Sequence, residues 1–482
     1  MLEPSTSLLA GGILALILSR LLYNLFQPGL VGIPGPLPAR CTDLWRLYKV
    51  WQWKFKEDLP ALHEAYNSTV IRVGPRMVSC SDPRAVVLIY GFHTDFKKSE
   101  MVKAMAPIYK GKRQPTMFAA ADNKTHARIR KPVAGSYSMS SIMQFEPFVD
   151  RNIRLFYARL DELFIQPQRP CDIHNWVQYF AFDAVLEMTM SRNLGFMKAG
   201  GDVEGVLKQL QKDLDYRGIA LAMPIIDRIW RLNPLSRLFK PNQSSHFAMR
   251  CKRIFEDRIE QEQLNTAPEQ PDFARRFLEA QRRDPSISDG QLIGYMQANL
   301  IAGSDTTVVV MRTAIYYTLK YPWIHSRLVY ELDSRRDPRI SAQTLRLIGM
   351  MERETPPAGV ELPDGHVLPG RVVIGMHGDL IGRDRSIFGD DADEFNPLRW
   401  LPAPGEAEAD FQARLRHVAE MEIYKFVPTF FALMKPSFVH PERSWTLRQL
   451  FVFKQEGMDM NLEWRDGRGV ESIGQERAMT DY

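Results

Sequence analysis

The residues best suited to chemistry in this 482-residue chain lie together at Ile301-Ala302-Gly303-Ser304-Asp305-Thr306-Thr307. Leu292, Met296, Val308 and Val310 on either side mark a buried helix, and into its middle the sequence sets a glycine, an acid and two alcohols. Gly303 costs about 1 kcal/mol against alanine at such a position. Asn299, Gly303 and Thr306 fall on one helical stripe, where small and hydroxyl side chains open a shallow groove furnished with hydrogen-bonding groups. Threonines that bond back to a carbonyl one turn earlier also bend a helix. A packing glycine beside a solvated polar turn would look the same, and both readings stand on these residues alone.

The helix that must position them begins at Ser288, where a Ser-Asp-Gly-Gln run opens a capping box, and continues to Lys320 before Pro322. At about 1.5 Å per residue it spans roughly 48 Å, the width of a large domain, which predicts a helix passing through the core. Length alone suggests about three domains. The absence of repeats and long low-complexity linkers favours one large unit instead. A net charge of +5, with no basic tract interleaved with aromatics, argues against nucleic acid as a partner. The four cysteines, Cys41, Cys80, Cys171 and Cys251, show no C-x-x-C spacing, which fits neither a disulfide framework nor a zinc site. No G-x-S-x-G, H-E-x-x-H, Walker-type or dinucleotide-binding motif occurs.

Leu8 to Phe26 is an apolar segment broken by Arg20, about 19 residues long and sufficient to cross a bilayer. Basic residues follow it at Arg40, Arg46, Lys49 and Lys54, which predicts an uncleaved anchor with the bulk of the chain on the cytosolic side. An amphipathic surface helix is the alternative. The next run, Gly32-Ile33-Pro34-Gly35-Pro36-Leu37-Pro38, reads as a semi-rigid spacer. Val70 to Cys80 predicts a hairpin around Gly74-Pro75, and helical periodicity dominates from Ser141 to Leu319. The apolar stretch Ile219 to Leu232 is either a core piece or a lip that touches lipid. A second hairpin is expected around Asp364-Gly365, and a last helix over His417 to Leu433.

Taken together, several of these runs resemble the cytochrome P450 family of haem-thiolate monooxygenases, in particular the fungal membrane-anchored, pisatin demethylase-like group. The resemblance rests on the anchor, Pro34-Gly35-Pro36, His126-Ala127-Arg128-Ile129-Arg130 and Ser136 to Ser140. It continues through Ala302 to Thr307, Arg383-Asp384 and Phe395-Asn396-Pro397-Leu398-Arg399-Trp400. It implies a mainly α fold with a smaller β portion, preceded by one transmembrane helix. The implied division is an anchor over residues 1–27, a hinge over 28–40 and a single catalytic domain over 41–482. The implied cofactor is haem, iron protoporphyrin IX, with electrons from NADPH through a separate reductase, at the endoplasmic reticulum membrane. By the same resemblance Asp305 feeds a proton relay, and Thr306 orients water at the bound oxygen. Ala302 and Gly303 lie against haem, and His126, Arg130 and Arg353 bind its two propionates.

The sequence also departs from that family. The acid of its structural triad is replaced by Gln343, facing Arg346 and Arg399, so no negative charge meets the arginines. The cysteine loop that should ligate iron is absent between Trp400 and Glu422, and no cysteine follows Cys251. His417 is the nearest nitrogen donor. Family-like sequence resumes at Arg416-His417-Val418-Ala419, so coding segments are expected to be missing near 334–352 and 401–420, through a splicing or gene-model error. The expected function is oxidation of a small hydrophobic molecule in fungal secondary metabolism; the alternative is an inactive membrane-anchored binding or scaffold protein. Met117-Phe118, Ile219 to Ile226 and Met350-Met351 would line the pocket, which suits a lipid-like, polyketide-like or terpenoid-like substrate.

Overall fold

The computed structural model describes residues 4–91, 94–109, 112–230, 246–264, 266, 272–333, 351–392, 420–449, 453–465 and 467–471. Gln343, Arg346, Arg399, His417 and the 401–419 segment lie outside the described residues.

The chain opens with α1 (Pro4–Leu25), α2 (Leu37–Cys41), α3 (Leu44–Trp51) and α4 (Phe55–Ala65), then forms the hairpin β1 (Val70–Gly74) and β2 (Met77–Cys80). Next come α5 (Ala85–Tyr90), β3 (Lys97–Lys98), the short pair β4 (Ile108–Tyr109) and β5 (Lys112–Arg113), α6 (Asn123–Arg130) and α7 (Met139–Met143). The helical body follows: α8 (Glu146–Leu160), α9 (Ile173–Met190) after β6 (Cys171–Asp172), α10 (Phe196–Ala199), α11 (Val206–Ala222), α12 (Pro224–Trp230), α13 (His246–Gln263), α14 (Phe273–Arg283), α15 (Asp289–Lys320) and α16 (Pro322–Asp333). The remainder is β7 (Met351–Glu354), the hairpin β8 (Val360–Glu361) and β9 (Val367–Leu368), β10 (Val373–Met376), α17 (Gly378–Ile381), α18 (Arg385–Phe388), α19 (Glu420–Leu433), β11 (Ser437–Phe438), β12 (Thr446–Gln449), β13 (Phe453–Glu456) and β14 (Asp459–Asn461).

Both expected hairpins are present. The larger sheet has the order β1-β2-β10-β7-β3, with β10 parallel to β2 and antiparallel to β7. The fold is mainly α with a smaller β portion. Its main core is aromatic: Phe426 of α19 lies 5.0 Å from Phe156 of α8 and 4.5 Å from Phe180 of α9, ring centre to ring centre. Such contacts add about 0.5–1.5 kcal/mol each beyond the area they bury. Through this core runs α15, 32 residues long, its first turn closed by the Ser288 side chain accepting from the Gln291 N–H.

Leu8–Leu25 of α1 is long and apolar enough to cross a membrane and is almost wholly exposed. The run after it is no free spacer. Arg72 of β1, fully buried, donates to the carbonyls of Asn24 (2.5 Å), Leu25 (3.2 Å) and Leu30 (3.4 Å), capping the last turn of α1. Its own N–H donates to Pro34 (2.7 Å), and a side chain on Gly35 would meet the Arg72 carbonyl at 2.2 Å. Leu30 and Ile33 sink into the core beneath the sheet.

The stretch after Ile219 divides between the two readings offered for it. Ala220 and Ala222 finish α11 in the core, while α12 exposes Ile225 and Ile229 one turn apart. Asp227 anchors that lip, accepting from the Tyr216 hydroxyl (3.2 Å) and pairing with Arg113.

Candidate active site

Midway along α15, Ala302 is exposed although Leu300, Ser304 and the whole run Thr307 to Arg312 are buried. A small residue left open inside a core helix marks a groove. Thr306 lies one turn further on the same flank, its hydroxyl donating to the Ala302 carbonyl at 2.7 Å, and Ser304 bonds back to Leu300 in the same manner. Hydroxyls that bond back in this way loosen and bend a helix locally. Gly303 also has a packing role. A Cβ there would stand 3.2 Å from one methyl of Val185 and 3.4 Å from the other, so this glycine permits close approach of α9. The groove is formed by Ala302 and Thr306, and Gly303 sets the depth at which α15 lies against its neighbour.

Asp305 is half-buried and makes no hydrogen bond among the described residues. Burial lifts its carboxyl to about 6, against the opposing charge of Arg312. A carboxyl balanced near that value exists in both protonation states close to neutral pH, which suits a group that passes protons.

A second feature lies at the edge of the larger sheet. In the β3–β7 pairing Lys98 stands directly opposite Arg353. Like charges across an antiparallel pair destabilise the sheet unless an anion lies between them. Burial, then Arg353, pulls the Lys98 amine down to about 8. His126 of α6 is also lowered, by burial, by Lys98 and by Arg130. Lys98, His126, Arg130 and Arg353 thus form one cluster, and no carboxylate contributes to the shift of Lys98 or His126. Lys98 donates to the carbonyls of Met117 and Phe118, both at 2.9 Å, so the apolar residues expected at the pocket border the cluster. Arg353 lies over the Tyr90 ring, 5.1 Å from its centre. The sequence reading placed His126, Arg130 and Arg353 but missed Lys98; the only signal was the doublet Lys97-Lys98 beside Phe96.

Hydrogen bonds fix α6 against α15. The Tyr295 hydroxyl donates to the Ile129 carbonyl at 2.7 Å and accepts from Gln291 at 3.1 Å, while the Tyr137 hydroxyl donates to Asn299 at 2.7 Å. Tyr295→Phe removes two buried hydrogen bonds, the one to Ile129 among them, and is expected to cost about 1–3 kcal/mol in chemical denaturation. A loss within error would mean that this bond does not hold the two helices together.

Next to Arg353, the Glu352 carboxylate lies 3.6 Å from buried Arg46 of α3, which also donates to the carbonyl of Ala222 at the end of α11. Burial raises the Glu352 carboxyl to about 7, with Arg46 opposing. A raised carboxyl favours the fold while protonated, and that contribution fades as pH rises from about 4.5 through about 7. Glu352→Gln should flatten the fall in melting temperature across that window; an unchanged slope would refute the assignment.

Two carboxylates on a flat macrocycle fit this arrangement, since the cation cluster needs anions and the groove at Ala302 needs a filler. Among the described side chains no cysteine is suited to supply a thiolate to such a group. Burial pushes the Cys80 thiol to about 12 and raises Cys171 as well, so both stay protonated, and Cys41 ends α2 beside the anchor. Among the described residues no group of three His, Cys, Asp or Glu could hold a metal ion.

A mainly helical fold with an acid–alcohol pair on its central helix and a cluster of cations is compatible with a haem-dependent oxidoreductase. The family model for Cytochrome P450 matches residues 34–419. The chain is 68% identical to Cytochrome P450 monooxygenase vrtE of Penicillium aethiopicum, over 96% of this chain and 95% of that one. It is 33% identical to a Cytochrome P450 monooxygenase of Aspergillus terreus over 83% of this chain and 89% of that one. It is 32% identical to Cytochrome P450 monooxygenase cicH of Emericella nidulans over 90% and 94% respectively. The chain belongs to the cytochrome P450 family and is a haem monooxygenase of the kind found in fungal secondary metabolism, a family supplied with electrons by a reductase. The alternative of an inactive scaffold finds no support in these relatives. The alignment with the Penicillium protein runs over 509 positions, whereas 96% of 482 residues is about 463, so about 46 of its positions face gaps within this chain.

Proposed function

We propose that the complete enzyme inserts oxygen from O₂ into a small hydrophobic molecule, lipid-like, polyketide-like or terpenoid-like, at the groove beside Ala302 and Thr306. Haem, when bound, supplies the iron at which O₂ is activated. The protein's share lies in its own side chains. Lys98, His126, Arg130 and Arg353 hold the carboxylates. Thr306, its hydroxyl tethered to the Ala302 carbonyl, presents an oxygen to the groove, and Asp305 takes up and releases protons beside it. Met117-Phe118 and the lip at Ile225 and Ile229 give the approach an apolar border. A single-pass anchor in the endoplasmic reticulum, the catalytic domain on the cytosolic side, would let an NADPH-dependent reductase dock from the cytosol. The observations that carry this reading are the open acid–alcohol turn on α15 and the cations of β3, β7 and α6; among the described residues no carboxylate acts on Lys98, His126 or Arg353.

The same reading holds that a cysteine loop belongs between Trp400 and Arg416, within the roughly 46 positions that the Penicillium relative has and this chain lacks. Thiolate ligation is what promotes O–O cleavage in this class. The chain as it stands and a version carrying the relative's loop are each reduced under carbon monoxide. The loop-bearing protein should show the red-shifted absorption of thiolate-ligated haem and the parent should not. Failure of the loop to produce it would refute the assignment, as would a transcript that encodes this junction with no cysteine loop.

A further inference from the structure

Arg353 stands on an aromatic ring rather than beside an acid. Among the described residues its guanidinium makes one hydrogen bond, Nη1 donating to the Glu352 carbonyl at 3.2 Å, and its carbon lies 5.1 Å from the centre of the Tyr90 ring. Its backbone is set between two strands, opposite Ile374 of β10 on one side and Lys98 of β3 on the other. A long, flexible cation facing a like charge would swing out to solvent unless something held it.

The ring that holds it is fixed at both ends. Tyr90 is the last residue of α5, whose Ala85 and Ile89 are fully buried in the core beneath the sheet. The chain leaves the helix through Gly91, where a Cβ would stand 2.3 Å from the Val87 carbonyl oxygen. At its far end the Tyr90 hydroxyl accepts from the Met376 N–H at 3.0 Å. Met376 pairs with Met351, two residues along both strands from the pair of Ile374 and Arg353, so this mooring brings the ring alongside the guanidinium.

We propose that Tyr90 is a positioning residue for the cofactor site: its ring face keeps the Arg353 guanidinium in place opposite Lys98, so that an incoming carboxylate meets two cations already set. The proposal rests on the reading of Arg353 as a carboxylate-binding cation. A ring suits this task better than an acid. An Asp or Glu would neutralise the guanidinium and compete with the ligand, whereas the negative face of an aromatic ring attracts a cation without consuming one of its hydrogen-bond donors. Side-chain order established before binding is not a cost at binding.

The test is an absorbance titration of the full chain with haemin, comparing Tyr90→Phe with pentafluorophenylalanine at position 90. The two rings fill similar space and both lack the hydroxyl, but fluorination removes the negative face. Tyr90→Phe should bind haemin within about threefold of the parent, and the fluorinated chain about five- to thirtyfold more weakly than Tyr90→Phe. A ring that only fills space would give equal affinities in these two, and that result overturns the proposal. Should the fluorinated chain not fold, Tyr90→Leu takes its place, and affinity equal to that of Tyr90→Phe overturns it likewise. In an Arg353→Leu background the difference between the two rings should vanish; its persistence would show that the ring acts through some other group and overturns the assignment to Arg353. The underlying reading fails separately. Arg353→Leu with the affinity of the parent, or a parent that takes up no haemin, defeats the carboxylate-binding role of Arg353, whereas a clear loss in Arg353→Leu with equal affinities for the two rings defeats only the role of Tyr90.

Discussion

Lys98→Met combined with Arg353→Leu is expected to weaken haemin binding about 100-fold or more, measured by absorbance titration of the full chain. Each cation offers a charge-assisted hydrogen bond, worth about 1.5–3 kcal/mol, so two together amount to roughly 3–6 kcal/mol. The two sit opposite each other in a two-residue pairing, where they repel until an anion arrives. That geometry gives a sharper discriminator than a loss of affinity. Lys98→Glu replaces the repulsion by an ion pair with Arg353, and should stabilise the cofactor-free chain while still abolishing haemin binding. An ordinary surface lysine would show neither effect. Arg128, exposed on α6, serves as the control, and Arg128→Leu should leave the titration unchanged. Equal affinity in the double variant would remove the cluster from the site.

The second large effect concerns the support of the central helix. Arg258 of α13 and Asp272 before α14 are both buried, the guanidinium donating to the carboxylate at 3.1 and 3.4 Å. Asp272 is also the N-cap of α14, accepting from the Arg275 N–H at 2.7 Å. Asp272→Ala therefore deletes a cap and leaves Arg258 with Glu262 as its remaining acid, 2.9 Å away. The expected cost is about 3–5 kcal/mol in chemical denaturation, mostly from the uncompensated charge. Asp272→Asn keeps an acceptor for the cap and loses the charge, so it should recover only about 1 kcal/mol of that cost. A loss under about 1 kcal/mol for Asp272→Ala would show that Glu262 alone neutralises Arg258. The damage should also spread to the site, because Phe277 of α14 packs against Tyr295, 5.4 Å between ring centres, and Tyr295 holds α6.

What was legible in the sequence followed from periodicity and turn chemistry. Ser288 and Pro322 bracket α15 because a cap and a breaker act locally, and Asp364-Gly365 gave its hairpin for the same reason. The acid and the alcohol at 305 and 306 stood out because polar side chains inside an apolar helix need a reason. That Gly303 meets Val185 was not legible, since which neighbour a glycine faces depends on the crossing of α9, which no local pattern encodes. Lys98 was missed because its significance comes from strand pairing with a residue 255 positions later. The triad at Gln343, Arg346 and Arg399 lies outside the described residues.

The cap that Arg72 places on the anchor helix has a consequence for how the enzyme meets its partners. A flexible tether would let the domain tumble, and a molecule dissolved in the bilayer would find the entrance at every height and angle. With α1 as the proposed anchor, a joint closed by a buried guanidinium and by chain packed as tightly as Gly35 on Arg72 would leave chiefly two motions, drift in the plane of the membrane and rotation about its normal. Under the proposed anchoring, search for a lipid-soluble substrate would take place in two dimensions rather than three, the lip at Ile225 and Ile229 would keep a constant level, and a membrane-bound electron donor would always meet the same face.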